Sequence, residues 1–210
     1  VGRGTKEILD FLKIKEVSPD DFINLKFNEP VYTNIDVLDY NYSNLIENTV
    51  SNFYNFPDKF ESTFSKFSSV ADIYFAGHYH NPKAPRLITN QDMKENSFNI
   101  DVIADISCDI NGPIASTIRP STIDHPIYGF HKLNSVEGDF DDSNAIAVMA
   151  VDNLPCELPI DSSEMFGEMF LIHVIPSFFN NDKDDILKNS LMTSEGELTP
   201  RFKYVSDYIL

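Results

Sequence analysis

Tryptophan is absent from this 210-residue chain, cysteine occurs twice and glycine eight times. Two cysteines, Cys108 and Cys156, cannot staple a disulfide-built scaffold. That leaves the core to hydrophobic burial and makes a reducing compartment, hence a cytoplasmic location, the expectation. Positive charge is scarce too: 16 Lys and Arg stand against 33 Asp and Glu, a formal charge of −17. Nucleic acid and anionic membrane surfaces are thereby excluded as partners, because both require a basic patch. No apolar run reaches the length that spans a bilayer. The longest patch, Met165 to Val174, is broken by Gly167, Glu168 and His173. No secretory leader is visible, and the chain opens on Val rather than Met, as a piece of a longer protein would.

What is present is ample for a core: hydrophobic residues make up 42% and phenylalanine alone counts 17. Residues 2–12 predict a helix with an apolar face of Ile8, Leu9, Phe11 and Leu12. Ile14 to Val17 predicts a short strand. Ser18-Pro19-Asp20-Asp21 is a helix-start signal: a cap, a proline at the first position and acids in the first turn. Residues 30–55 carry no clear period, and Pro57 to Phe67 reads as helical. Ala71 to Ala76, Asp101 to Ile106 and Ala145 to Val151 are apolar, β-branched strand candidates. Thr89 to Asp92 is a capping pattern, residues 110–126 read as an extended proline-bearing loop, and helices are expected from about 161 to 174 and again near 184–192 and 199–208. Strands alternating with helices, two of them apolar throughout, predict an α/β fold around a parallel sheet.

The chemistry concentrates where strands end. Asp101 to Ile106 runs into Ser107, Cys108, Asp109, Asn111 and Gly112. In an open parallel sheet the loops at the carboxyl ends of strands hold the ligand; the plain alternative is an Asp-Asn-Gly turn. The strand at 71–76 ends in Gly77-His78-Tyr79-His80, and the one at 145–151 in Asp152-Asn153. Parallel strands would deliver all three ends to one edge, with Tyr79, Asp109 and Asn153 facing one cleft. His78 and His80 with Asp105 or Asp109 could also hold a metal in a hydrolase, although no further His or Cys stands at a ligand spacing. Val1-Gly2-Arg3-Gly4-Thr5 leads into the first helix, a weak form of the glycine-rich turn that places a pyrophosphate at a helix N-terminus.

Three blocks carry a resemblance: ADIYFAGHYHNPKAPRLIT, DVIADISCDINGPIASTIRPSTIDHPIYGF and VDNLPCELPIDSSEMFGEMF, with TSEGELTPRFKYVSDYI at the end. The chain resembles the lysine–oxoglutarate reductase and lysine-forming saccharopine dehydrogenase family, within the alanine dehydrogenase/PNT superfamily. The most specific blocks are DISCD and DNLPCELP. The resemblance implies a Rossmann-like parallel sheet with helices on both faces. Residues 1–155 would be a partial NAD(P)-binding domain lacking its first strand. Residues 156–210 would be helices that pack toward an N-terminal substrate domain, outside these residues, which also carries the acid–base pair.

By position, Ser107, Cys108 and Asp109 would meet the amino-acid substrate, with Asp109 as the orienting catalytic carboxylate. Gly2, Ser18, Tyr79, Ile106, Val151, Asp152, Asn153 and Leu154 would meet the cofactor. Ser18 stands where the family carries an acid for the ribose hydroxyls, which leans the choice between NAD and NADP toward NADP. His78 and His80 depart from the family's more apolar loop. The implied reaction is hydride transfer to the imine of an amino acid and a 2-oxo acid, lysine with 2-oxoglutarate first. An alanine dehydrogenase-like or other opine-type enzyme, and a non-catalytic nucleotide-binding module, are the alternatives. No metal is implied, a homo-oligomer is possible in such a family, and these residues alone are expected to be inactive.

Overall fold

A computed structural model describes residues 2–208; the Val1 position of the glycine run lies outside the described residues. The chain divides into two compact units, Val1–Asp152 and Asn153–Leu210.

The first unit opens with helix α1 (Gly2–Phe11), strand β1 (Lys15–Glu16), helix α2 (Pro19–Asn24) and strand β2 (Val31–Tyr32). The glycines of the N-terminal run therefore lie within α1 rather than in a turn before it. The Ser18 hydroxyl caps α2 by accepting from Asp21 N at 3.1 Å, with Pro19 at the first position. β1 and β2 pair in parallel.

Residues 41–68 fold as strand β3 (Asn41–Tyr42), helix α3 (Val50–Asn55), strand β4 (Glu61–Ser62) and helix α4 (Ser65–Ser68), with β3 and β4 antiparallel. The helix expected over 57–67 is thus three short elements, beginning with a 3-10 turn at Pro57–Lys59. Its apolar spacing is still honoured, because Phe60, Phe64 and Phe67 are all buried. The pairing of Ser62 with Asn41, extended by a bond from Thr63 N to Tyr40 O, pulls the middle of the segment into a strand.

The main sheet follows: β5 (Ile73–Ala76), β6 (Val102–Asp105), β7 (Ile127–His131), β8 (Glu137–Gly138) and β9 (Ala145–Met149), in the order β5-β6-β9-β7-β8. β5, β6 and β9 are parallel. β7 and β8 extend the sheet antiparallel, so it is mixed beyond β9. Buried runs explain the central strands: Ile103, Ile146, Val148 and Ala150 are fully buried and Ala104 nearly so. β7 depends on Gly129, where a Cβ would collide with the Asp139 carbonyl across the hairpin. The core gathers Phe64, Phe67, Ile88, Met93, Ile100, Ile103, Ile114, Phe130, Ile146 and Val148. Together these features make an α/β Rossmann-like unit.

The second unit holds α5 (Pro159–Met169), α6 (Ile186–Ser190) and a short antiparallel pair, β10 (Thr193–Ser194) with β11 (Glu197–Leu198), and ends in a 3-10 segment at Pro200–Tyr208. α5 passes into a π-helical turn at Phe170–Val174 and then a 3-10 turn at Ile175–Phe178, where Pro176 cannot donate to an α-helical ladder. Ile160, Phe166, Leu171, Ile172 and Phe179 are all exposed. Among the described residues, no helix is long and apolar enough to cross a membrane.

Candidate functional site at the carboxyl ends of β5, β6 and β9

Register fixes where the three parallel strands stop. Ala76 pairs with Asp105, and Ala104 with Met149, so the three carboxyl ends lie level along one edge of the sheet. The loops leaving them are tied together. Ile106 N and Ser107 N both donate to Ala76 O, at 3.0 and 3.2 Å. The Ser107 hydroxyl accepts from His78 N at 3.1 Å and donates to His78 O at 2.8 Å, joining the β5 and β6 loops. Cys108 turns its thiol toward β9, donating to Ala150 O at 3.1 Å. Burial, followed by the carboxylates of Asp105, Asp152 and Asp109, pushes that thiol's pKa up. A raised pKa favours the protonated thiol that this hydrogen bond needs.

The turn after β6 is built on Asp105. Its side chain is fully buried, accepting from Thr117 Oγ1 at 2.6 Å and from Cys108 N at 3.0 Å. Burial raises its pKa, while those two hydrogen bonds and the nearby His78 act in the opposite direction. Cys108 and Asn111 take left-handed backbone conformations, with φ of 50° and 55°. For a cysteine that region is costly and must be held from outside. Asn111 is held by its own N–H, which donates to Thr117 O at 3.1 Å, and by its carbonyl, which accepts from Arg86 Nη2 at 2.9 Å. Pro113 O receives Leu87 N and Ile88 N, so the 86–88 segment braces the loop from below.

Asp109 and Ser107 are half-buried at this edge and Tyr79 is exposed. Ile106 is half-buried, Val151 is buried beside Ser121, and Asp152 is exposed. Ser107, Cys108, Asp109, Ile106 and Tyr79 thus come together, with Val151 and Asp152 leaving the neighbouring strand. Asn153 and Leu154 open the second unit. Ser18 is the cap of α2, and Gly2, in α1, shares a cleft with Gly77 and His78 at the end of β5. His78 has its pKa lowered, chiefly by burial, and its Nε2 is buried without a hydrogen-bond partner among the described residues. No group of three or more His, Cys, Asp or Glu able to hold a metal ion occurs among the described residues.

A cleft of about 750 Å³ lies in the same unit between β2 and β5. Its lining includes Gly2, Thr5, Val31, Ile73, Phe75 and His78.

Comparison with known proteins agrees with this architecture. The model of the alanine dehydrogenase/PNT C-terminal domain matches residues 35–201. The chain belongs to that family. An alpha-aminoadipic semialdehyde synthase from Arabidopsis thaliana is 28% identical over 162 residues, covering 74% of this chain and 15% of the plant protein. The mitochondrial protein of that name from Bos taurus is 22% identical over 236 aligned positions, covering 98% of this chain and 26% of its own length. A saccharopine dehydrogenase [NAD(+), L-lysine-forming] from Emericella nidulans is 30% identical over 111 residues, 51% of this chain and 28% of that protein. The chain thus spans between about a seventh and somewhat over a quarter of the curated relatives it matches.

Asp105 is the residue of this site that sequence reasoning places least well. Within the apolar run DVIADI it reads as a strand residue or a spare metal ligand. Its main partner, Thr117, lies twelve residues on, with no local pattern to link them. Arg86 and Ser121 are equally silent. An acid inside an otherwise apolar strand was the one available signal, because a buried carboxylate must find donors.

Proposed function

We propose that this chain is the nucleotide-binding part of an NAD(P)-dependent amino-acid oxidoreductase that forms or cleaves saccharopine. The observation that carries the reading is the levelled edge of β5, β6 and β9, with Ser107 and Cys108 fixed on it by hydrogen bonds between loops and Asp109 next in the chain. Family membership supports it, as do relatives whose names describe lysine-related semialdehyde synthases and saccharopine dehydrogenase.

The residues suit a dinucleotide. Tyr79, Ile106, Val151 and Asp152 sit at strand ends where a parallel sheet holds such ligands, and Gly2 begins a ten-residue helix whose first N–H groups favour an anion. Ser18 accepts from Asp21 N, and its O–H can still donate to a 2′-phosphate, which favours NADP over NAD. When bound, the nicotinamide supplies the hydride chemistry. Asp109 contributes a carboxylate beside the imine nitrogen of lysine and 2-oxoglutarate, which must be protonated to accept hydride, and a fixed negative charge placed there stabilises that iminium. Ser107 orients the loop that presents it. The proton-transfer groups are expected on a substrate domain outside these 210 residues. Among the described residues β2 and β5 each pair on one side only, and this reading puts a further parallel strand in the cleft between them.

The test is oxidation of NADPH or NADH by the full-length protein with lysine and 2-oxoglutarate. Turnover that requires both substrates is expected. Absence of turnover with any pair of amino acid and 2-oxo acid overturns the reading.

A further inference from the structure

We propose that Asp105 is the positioning residue of this site, its two carboxylate oxygens holding the 107–117 loop in the one conformation that presents Asp109. The proposal rests on the oxidoreductase reading for its kinetic consequences, though not for its geometry.

A carboxylate in the middle of a core is a poor choice for stability. Asp105 has no accessible surface, and no ion pair with Lys or Arg offsets its charge among the described residues. Taking a carboxylate out of water carries a desolvation cost that its hydrogen bonds must offset. What Asp105 supplies is two directed acceptors. One oxygen receives the Cys108 N–H three residues on, closing the turn; the other receives the buried Thr117 hydroxyl at the far end of the loop. The two ends of the ten-residue stretch Cys108–Thr117 are therefore fastened to one side chain.

The consequences run through Cys108. With its N–H drawn to Asp105, Cys108 adopts a φ of 50°, which a cysteine does not choose unaided. That reversal sends the Cys108 thiol inward to Ala150 O and leaves the next residue, Asp109, at the strand-end edge. The same turn places Ser107 against the His78 backbone. Asp105 thus acts on all three strand ends without needing to reach the ligand.

The experiment uses the full-length protein and two substitutions, Asp105→Leu and Thr117→Val. The first removes both acceptors. The second removes the hydroxyl donor from a position of zero exposure and serves if Asp105→Leu does not fold. Two readouts are taken. In kinetics, kcat is expected to fall at least about tenfold while KM for the nucleotide changes by less than about threefold, the pattern of a lost transition-state placement. In alkylation mapped by peptide mass, the half-buried Cys108 should react at least about tenfold faster, with the exposed Cys156 unchanged as internal control.

Asp105→Asn keeps an acceptor for Cys108 N, and the Thr117 hydroxyl can turn to accept from its amide, so this variant should recover most of kcat. Folded variants with wild-type kcat and wild-type Cys108 reactivity overturn the proposal, leaving Asp105 a structural residue only. If the wild type shows no turnover, the oxidoreductase reading fails separately, and alkylation alone decides the role of Asp105.

Discussion

Gly112 lies so close under Asp109 that a Cβ added to it would stand 2.6 Å from Asp109 Cβ and 2.7 Å from Asp109 O. Gly112 N also donates to that same carbonyl at 2.9 Å. The absence of a side chain at 112 is thus what lets the loop fold back beneath the carboxylate. Gly112→Ala meets backbone, which cannot rotate away, so the loop must shift. The expected result is a loss of roughly 1–3 kcal/mol in stability, the range for overpacking, measured by chemical denaturation. Turnover should fall with it, through displacement of Asp109.

Ser107→Ala removes the hydroxyl that both accepts from and donates to the His78 backbone. About 1–2 kcal/mol of stability should be lost. Hydrogen exchange at residues 77–81 should quicken while the amides of β6 keep their protection. Unchanged exchange in the 77–81 loop would show that Ser107 does not join the two loops.

His78 and Asp105 pull stability in opposite directions with pH. Burial lowers the His78 pKa in the fold, so the neutral ring is favoured there. Its contribution is present above the ordinary histidine value of 6.5 and is lost as pH falls through the lower folded value. Burial raises the Asp105 pKa, so its contribution is present below the ordinary value of 3.8 and is lost as pH rises through the higher folded value. His78→Gln should therefore flatten the acid-side decline in melting temperature. Asp105→Asn should remove the loss on the alkaline side of its own titration. Melting temperatures across pH 4–8, with ~0.5 pH-unit steps, separate the two.

Strands β6 and β9 are legible in the sequence because they are buried on both faces and read as unbroken apolar runs. Strand β7 is hidden: Pro120 and Pro126 precede it, Gly129 interrupts it, and its pairing with β9 is antiparallel. The spacing of Phe60, Phe64 and Phe67 is helical, and all three are buried as that spacing demands, yet strand pairing at Glu61–Ser62 divides the segment. Periodicity reports which residues go inside and not which backbone carries them. At the site, the grouping of Ser107, Cys108 and Asp109 at a strand end is readable from sequence alone. The inward turn of Cys108 is not, because it depends on Asp105, Thr117 and Ala150, which come together only in three dimensions.

The central claim is that Asp109, fixed at the levelled strand ends, acts on the reacting centre and not on the nucleotide. Asp109→Asn in the full-length protein tests it most directly, with kcat followed alongside the dissociation constant for NADPH. The account predicts a fall in kcat of at least about a hundredfold, typical of losing one electrostatic stabiliser, with NADPH affinity within about twofold of wild type. A variant that loses both in equal proportion, or neither, would contradict it.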